Sequence, residues 1–219
     1  CTDLRSVQKV TILPIFTDIS RFLNSQPALA VEERFKDYGF KMIAVGRFVD
    51  KEKNFSMLID MMRDFVKIYP KALLVIVGDG PDRKNYESRI RGQELEKYVI
   101  LEGWRDDLQQ LYKSFDLYLM SSNYEGWGRA VIEAMASCLP VVMTDVGLAG
   151  EVLKNGQNGI VVPVADKRAM LQAVKDLYQN PELRAKFAKA GQETVKNLEP
   201  RSKEDYMKAY AASYCYSKN

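Results

Sequence analysis

Histidine is absent from all 219 residues. That one gap removes the usual general base, the Ser-His and Cys-His nucleophile pairs and most zinc sites. Any chemistry here must use carboxylates, cations and backbone dipoles. Cysteine is scarce too: three residues, an odd count with no Cys-x-x-Cys spacing, argue against a disulfide framework and suit a reducing cytoplasm. Cys138, between a helical and a strand-like stretch, reads as a small core residue. No apolar run reaches the ~18 residues of a membrane span, and no secretory leader is visible. Nor does charge of one sign dominate. The 32 basic and 29 acidic residues are interleaved to a net +3, which leaves no basic tract for nucleic acid. No Asp-x-Asp follows a strand and no His/Cys/carboxylate cluster has ligand spacing, so neither a metal nor a cofactor is expected. The chain begins with Cys1 and not methionine, and is read as a piece of a longer protein.

What is present suffices for one sizeable globular core: 47% of residues are hydrophobic and 28% charged. From residue 41 onward, short apolar runs alternate with helical patterns. Strands are predicted over 42–45, 73–77, 99–101, 117–120, 141–143 and 159–162, each leucine-rich or β-branched, as strands buried on both faces should be. Between the first two, residues 55–69 carry Leu58, Met62, Phe65 and Val66 on one stripe, with Asn54 placed as N-cap. Asp106 followed by Gln109 resembles a capping box opening a helix over 107–114. Asp166 opens another that ends near Pro181. Alternating βα units imply an α/β fold with a doubly wound, Rossmann-like parallel sheet and ligands at the carboxyl ends of its strands. Residues 24–38 look polar and helix-like, with few anchors. The tail, 181–198 and 202–218, reads as two further helices, the second carrying Tyr206, Tyr210, Tyr214 and Tyr216.

The most informative stretch is Ser121-Ser-Asn-Tyr-Glu-Gly-Trp-Gly-Arg-Ala-Val-Ile-Glu133, directly after the fourth predicted strand. Gly126-Trp127-Gly128 opens a helix, so free amides and the positive end of the helix dipole face outward, and glycine lets a ligand approach the backbone. Glu133, two turns in, lies roughly 10 Å beyond the bend at ~1.5 Å per residue. One carboxylate can then serve each side of a diphosphate, a layout that matches a nucleotide sugar. Elsewhere Gly46-Arg47 closes the first strand and Lys53 follows six residues later. Arginine supplies a bidentate fork for phosphate and lysine a point charge.

Glu-Gly-Trp-Gly-x4-Glu-Ala-Met-Ala-x2-Leu-Pro-Val-Val, continued by Asp145-Val-Gly147-x3-Glu151, resembles the E-x7-E signature of retaining glycosyltransferases with the two-domain B-type (GT-B) fold, the family that includes mannosyl- and glucosyltransferases and sucrose synthases. Val10-Thr-Ile-Leu-Pro14 with Asp18, Arg21 and Phe22 resembles that family's interdomain segment, with Ile15 and Phe16 in place of the usual Asn and Gly. The resemblance implies an interdomain segment over 1–40, a Rossmann-like nucleotide-sugar domain over 41–180, and C-terminal helices over 181–219 that cross onto an N-terminal acceptor-binding domain. That domain is missing from this sequence. The chain would be the donor-binding half of a metal-independent transferase. Arg47, Lys53 and Glu125 would act at the reacting centre, and Gly46, Gly78, Gly103, Gly126, Trp127, Gly128 and Glu133 would bind the donor. Glu133 would take ribose hydroxyls and Glu125 sugar hydroxyls. A cytoplasmic location follows, with peripheral attachment to the inner membrane face left open through the N-terminal domain. Three rivals share the alternation: a non-catalytic nucleotide-sugar module, a sugar-nucleotide epimerase, and a receiver domain. The receiver would need acidic residues where Gly46-Arg47 stands.

Overall fold

The computed structural model describes residues 15–198 and 202–215, with side chains to 213. Val10 to Pro14, Cys1, and the rings of Tyr214 and Tyr216 lie outside the described residues. In chain order the elements are α1 (Ser20–Leu23), α2 (Leu29–Arg34), β1 (Phe40–Val45), α3 (Asp50–Lys53), α4 (Phe55–Phe65), β2 (Ala72–Val77), α5 (Arg83–Gly92), β3 (Val99–Glu102), α6 (Leu108–Tyr112), β4 (Leu117–Met120), α7 (Arg129–Ala136), β5 (Val141–Thr144), β6 (Ile160–Val162), α8 (Lys167–Gln179), α9 (Pro181–Lys196) and α10 (Lys203–Cys215).

All six strands are parallel, in the order β3-β2-β1-β4-β5-β6. Alternation along each strand sends neighbouring side chains to opposite faces and so divides the core in two. Met42, Ala44, Leu74, Ile76 and Leu119 meet α4, α5 and α8 on one face. Ile43, Leu73, Val75, Tyr118 and Met120 meet α1, α2, α6 and α7 on the other. With both faces covered, a run such as Ala72–Val77 can be apolar throughout and is wholly buried. β1 and β2 pair from Phe40↔Ala72 to Val45↔Val77 and end level. The strand order reverses between β1 and β4. In a doubly wound sheet that point opens a crevice at the carboxyl edge. No helix among the described residues is long and apolar enough to cross a membrane.

Several local expectations are corrected. Asn54 does not cap α4 with its side chain. It sits where α3 and α4 abut, in a left-handed conformation at φ 50°, and its amide donates to Asn123 instead (3.1 Å). Asp50 takes over the capping by accepting from Ser56 N at 3.0 Å. The helix expected over 55–69 ends at Phe65. The capping box at Asp106 does not form. Arg105 occupies both oxygens of Asp107 (2.7 and 2.6 Å), and Asp106 accepts from the Trp104 indole (3.0 Å). α6 is five residues long, Leu108–Tyr112, shorter than the 107–114 expected. Residues 24–38 form one short helix after a non-helical stretch, and Val31 and Phe35 anchor it. Cys138 is exposed, not core: it stands at φ 59° just past α7, where the chain turns towards β5. The Asp166 cap holds, accepting from Ala169 N at 2.9 Å.

Candidate functional site

A cleft of about 580 Å³ opens at the carboxyl edge between β1 and β4, within the usual range of small-molecule sites. Gly46 and Arg47 enter it from the end of β1, Lys53 from the end of α3, and Gly78 from the end of β2. Glu125, Gly126, Trp127, Gly128 and Arg129 enter from the turn between β4 and α7, and Trp104, Arg105 and Leu108 from the β3–α6 connection. Val45, Val77, Tyr118 and Met120 form the apolar floor. The level ends of β1 and β2 are what bring these loops to one height.

Gly78 is required by sterics. Its φ is +140°, and a Cβ there would lie 2.0 Å from the Gly46 carbonyl oxygen. That contact lets the two loops close over the strand ends, where Gly78 N is shared between the carbonyls of Glu102 and Gly103, each at 3.3 Å. Gly103 therefore braces Gly78 from behind and does not line the cleft.

The helix beyond the bend starts at Arg129 with Gly128 as N-cap and no side-chain cap; Val131 N turns back to the Gly128 carbonyl (2.9 Å), while the amides of Arg129 and Ala130 have no partner among the described residues and stay open to an anion. Lys53 Nζ contacts Glu125 Oε1, and Ser122 Oγ donates to the same oxygen at 2.8 Å. The side chains of Lys53 and Glu125 are 20% and 14% exposed, respectively. Arg47 is exposed, and it projects at the opening with no ion-pair partner among the described residues.

Glu133 occupies a different environment. It is buried on the inward side of α7 with Oε2 3.5 Å from the Tyr112 hydroxyl and Oε1 3.9 Å from Arg129. It does not line the cleft. Burial raises its carboxyl above the usual range, with Arg129 the leading opposing influence. Burial also pushes up the phenols of Tyr112 and Tyr118, so both remain protonated donors. A carboxyl raised in the folded state favours folding most when protonated, so its contribution is full below the unfolded value and fades as pH rises through the folded one. Glu133→Gln should therefore be more stable than the parent at pH 7, and the gap should close below about pH 4, where an unfolded glutamate is itself protonated. Unfolding temperatures of the two proteins across that range check this; a variant less stable at pH 7 would contradict it.

Sequence reasoning missed the Ser121-Ser122-Asn123 run, Arg105 and Arg129. A polar triplet directly after an apolar strand was the available signal for the first. The arginines had none, because neither stands in a spacing that chemistry demands.

A model described as glycosyl transferases group 1 matches residues 25–194. The phosphatidyl-myo-inositol mannosyltransferase of Mycobacterium leprae is 31% identical over 180 residues, 81% of this chain and 46% of that protein. HepE of Anabaena, solved in complex with UDP, superimposes with a TM-score of 0.78 at 22% identity, covering 90% of this chain and 56% of its own. The C-terminal domain of a group 1 glycosyl transferase (LpcC) from Francisella tularensis gives a TM-score of 0.71 at 24% identity, covering 83% of this chain and 97% of that domain. These likenesses establish a Rossmann-like fold shared with GT-B glycosyltransferases, in the case of LpcC with a C-terminal domain. The chain spans about half the length of the curated relatives it matches. By the extent of the family match, the chain belongs to the glycosyl transferases group 1 family.

Proposed function

We propose that this chain is the donor-binding half of a retaining glycosyltransferase that moves a sugar from a nucleoside diphosphate to an acceptor hydroxyl. The observation that carries the reading is convergence: Arg47, Lys53 and the uncapped start of α7 meet in one cleft at the sheet's reversal point. HepE, which shares the fold, was solved with UDP bound. In this reading the cations and the amides of 126–128 neutralise the leaving diphosphate, and removing one such group costs a few kcal/mol of transition-state stabilisation. Glu125 contacts donor-sugar hydroxyls. Glu133 reaches the ribose hydroxyls once the nucleotide displaces its present packing. The acceptor attacks on the departing side, and a diphosphate oxygen takes its proton, so no histidine is needed.

Charge neutralisation by Arg47, Lys53 and a helix terminus makes donor binding independent of a divalent metal. Residues 1–40 lead in from an N-terminal acceptor-binding domain, 41–180 hold the donor, and 181–219 return to that domain. The stacked Tyr206–Tyr210 pair, with Phe16 6.1 Å from Tyr206, forms part of that return. The protein works in the cytoplasm, and any attachment to the inner membrane face runs through the N-terminal domain. Turnover needs the acceptor held at the anomeric carbon, and such positioning accounts for ~7–11 kcal/mol of barrier lowering. This chain alone should therefore bind donor and transfer nothing. A thermal-shift panel of UDP, GDP and ADP and their sugar conjugates tests the reading, with and without chelator. Stabilisation by at least one, unaffected by chelator, is expected. No shift at millimolar ligand, or a shift that chelator abolishes, would sink it.

A further inference from the structure

The three polar residues after β4 bond in two directions. Ser121 Oγ donates to the Lys53 carbonyl (2.8 Å), Asn123 N to the Glu52 carbonyl (2.8 Å) and Asn123 Nδ2 to the Lys51 carbonyl (3.2 Å), so the flanking pair grips α3. Ser122 turns the other way. Its Oγ donates to Glu125 Oε1 at 2.8 Å, while its carbonyl accepts from Thr144 Oγ1 at 2.6 Å. Ser122 is 1% exposed and Thr144 0%, so the chain from β5 through Ser122 to the carboxylate is anchored in the core. Oε1 thus has two donors, Ser122 and Lys53, whereas Oε2 has none among the described residues and belongs to a side chain on the cleft wall.

We propose that Ser122 is a positioning residue: it fixes Oε1 of Glu125 so that Oε2 is presented to a hydroxyl of the donor sugar. The inference rests on the reading of Glu125 as the sugar contact. Lys53 cannot do this alone, because in the donor-site reading the same ammonium also serves the diphosphate. When it shifts to that charge, Ser122 is the donor that still sets the plane of the carboxylate. The buried Thr144 bond to the Ser122 carbonyl pins the backbone from which the Ser122 hydroxyl projects, which is how an anchored neighbour fixes a functional group.

The test is a calorimetric double-mutant cycle on the chain, with Ser122→Ala, Glu125→Gln and the double variant. The probes are UDP, UDP-glucose and UDP-N-acetylglucosamine, with GDP and GDP-mannose as the second set. Ser122→Ala should leave diphosphate affinity within about twofold of the parent, yet weaken the preferred sugar conjugate by about tenfold, the scale of one hydrogen bond to a charged group. In the Glu125→Gln background it should cost nothing more, since coupled partners are not additive. Thr144→Val, close to isosteric, should reproduce the selective loss in weaker form, and it carries the test if Ser122→Ala does not fold. Equal loss for diphosphate and conjugate, loss additive to Glu125→Gln, or no loss overturns the proposal, as does a parent chain that gains nothing from any sugar. A parent that binds no diphosphate at all would instead overturn the donor-site reading beneath it.

Discussion

Gly78→Ala should cost the domain more than about 3 kcal/mol of stability, a large part of the ~5–15 kcal/mol that holds a typical domain folded. Two penalties coincide at that position. The backbone at φ +140° is a region L side chains rarely adopt, and the new Cβ would stand 2.0 Å from the Gly46 carbonyl oxygen. Neither partner can retreat. Gly46 N donates to the Val77 carbonyl at 3.0 Å, and Gly78 N is tied to Glu102 and Gly103. Relief would require breaking the register of β1 on β2. Gly103→Ala is the matched control: a Cβ there meets nothing within 4 Å and the backbone is not left-handed, so its cost should stay below about 1 kcal/mol. Urea unfolding of the three proteins decides it. Gly78→Ala within 1 kcal/mol of the parent, on the scale of ordinary surface changes, would show the strand-end loops to be looser than described.

Lys53→Met should weaken diphosphate binding by roughly 30- to 100-fold, corresponding to about 2–3 kcal/mol for a charge-assisted bond to an anion. Methionine keeps most of the apolar stem of lysine, one atom shorter, and removes the charge. Folding should change little, because Glu125 keeps its bond from Ser122 and its side chain is not fully buried. Arg47→Ala should cost less, since an exposed guanidinium at the cleft mouth acts through solvent-screened charge. The check is calorimetry with UDP, GDP and ADP. Unchanged affinity in Lys53→Met would confine that lysine to pairing with Glu125.

The strands were legible because a doubly covered parallel sheet demands uninterrupted apolar runs, and six such runs are spaced along the chain. Phe40–Val45 and Ala72–Val77 each begin before their predicted starts, but at the carboxyl ends, where the loops meet, the predicted and observed boundaries agree. Local helix starts were less legible, because a capping residue is recognised by type while its partner is chosen by tertiary packing. Asn54 was recruited by Asn123 from across the sheet edge, and Asp106 and Asp107 by Trp104 and Arg105 two residues back, side chains whose direction no spacing reveals. Cys138 failed for a related reason: its residue type suits a core, but the turn leaving α7 points it outward. At the site, Gly46, Gly78, Gly126, Gly128, Arg47 and Lys53 could be read from their pattern, whereas Arg105 and Arg129 could not, and Gly103 stands behind the cleft. The Ser122 bond to Glu125 and the burial of Glu133 against Tyr112 depend on side-chain direction, which spacing on a helix or bend does not fix.

A nucleoside diphosphate bound at the carboxyl edge between β1 and β4 would shift the backbone amides of the glycines there, so adding UDP, GDP or ADP while following those amides tests the site. Gly46 and Gly78 follow two strand ends, and Gly126 and Gly128 open α7, whereas Gly39 precedes β1 at the opposite edge and Gly92 ends α5. At least one of the three nucleotides should move the resonances of Gly46, Gly78, Gly126 and Gly128 and leave those of Gly39 and Gly92 in place. Shifts centred on Gly39 or Gly92, or none with any of the three at saturating concentration, would contradict it.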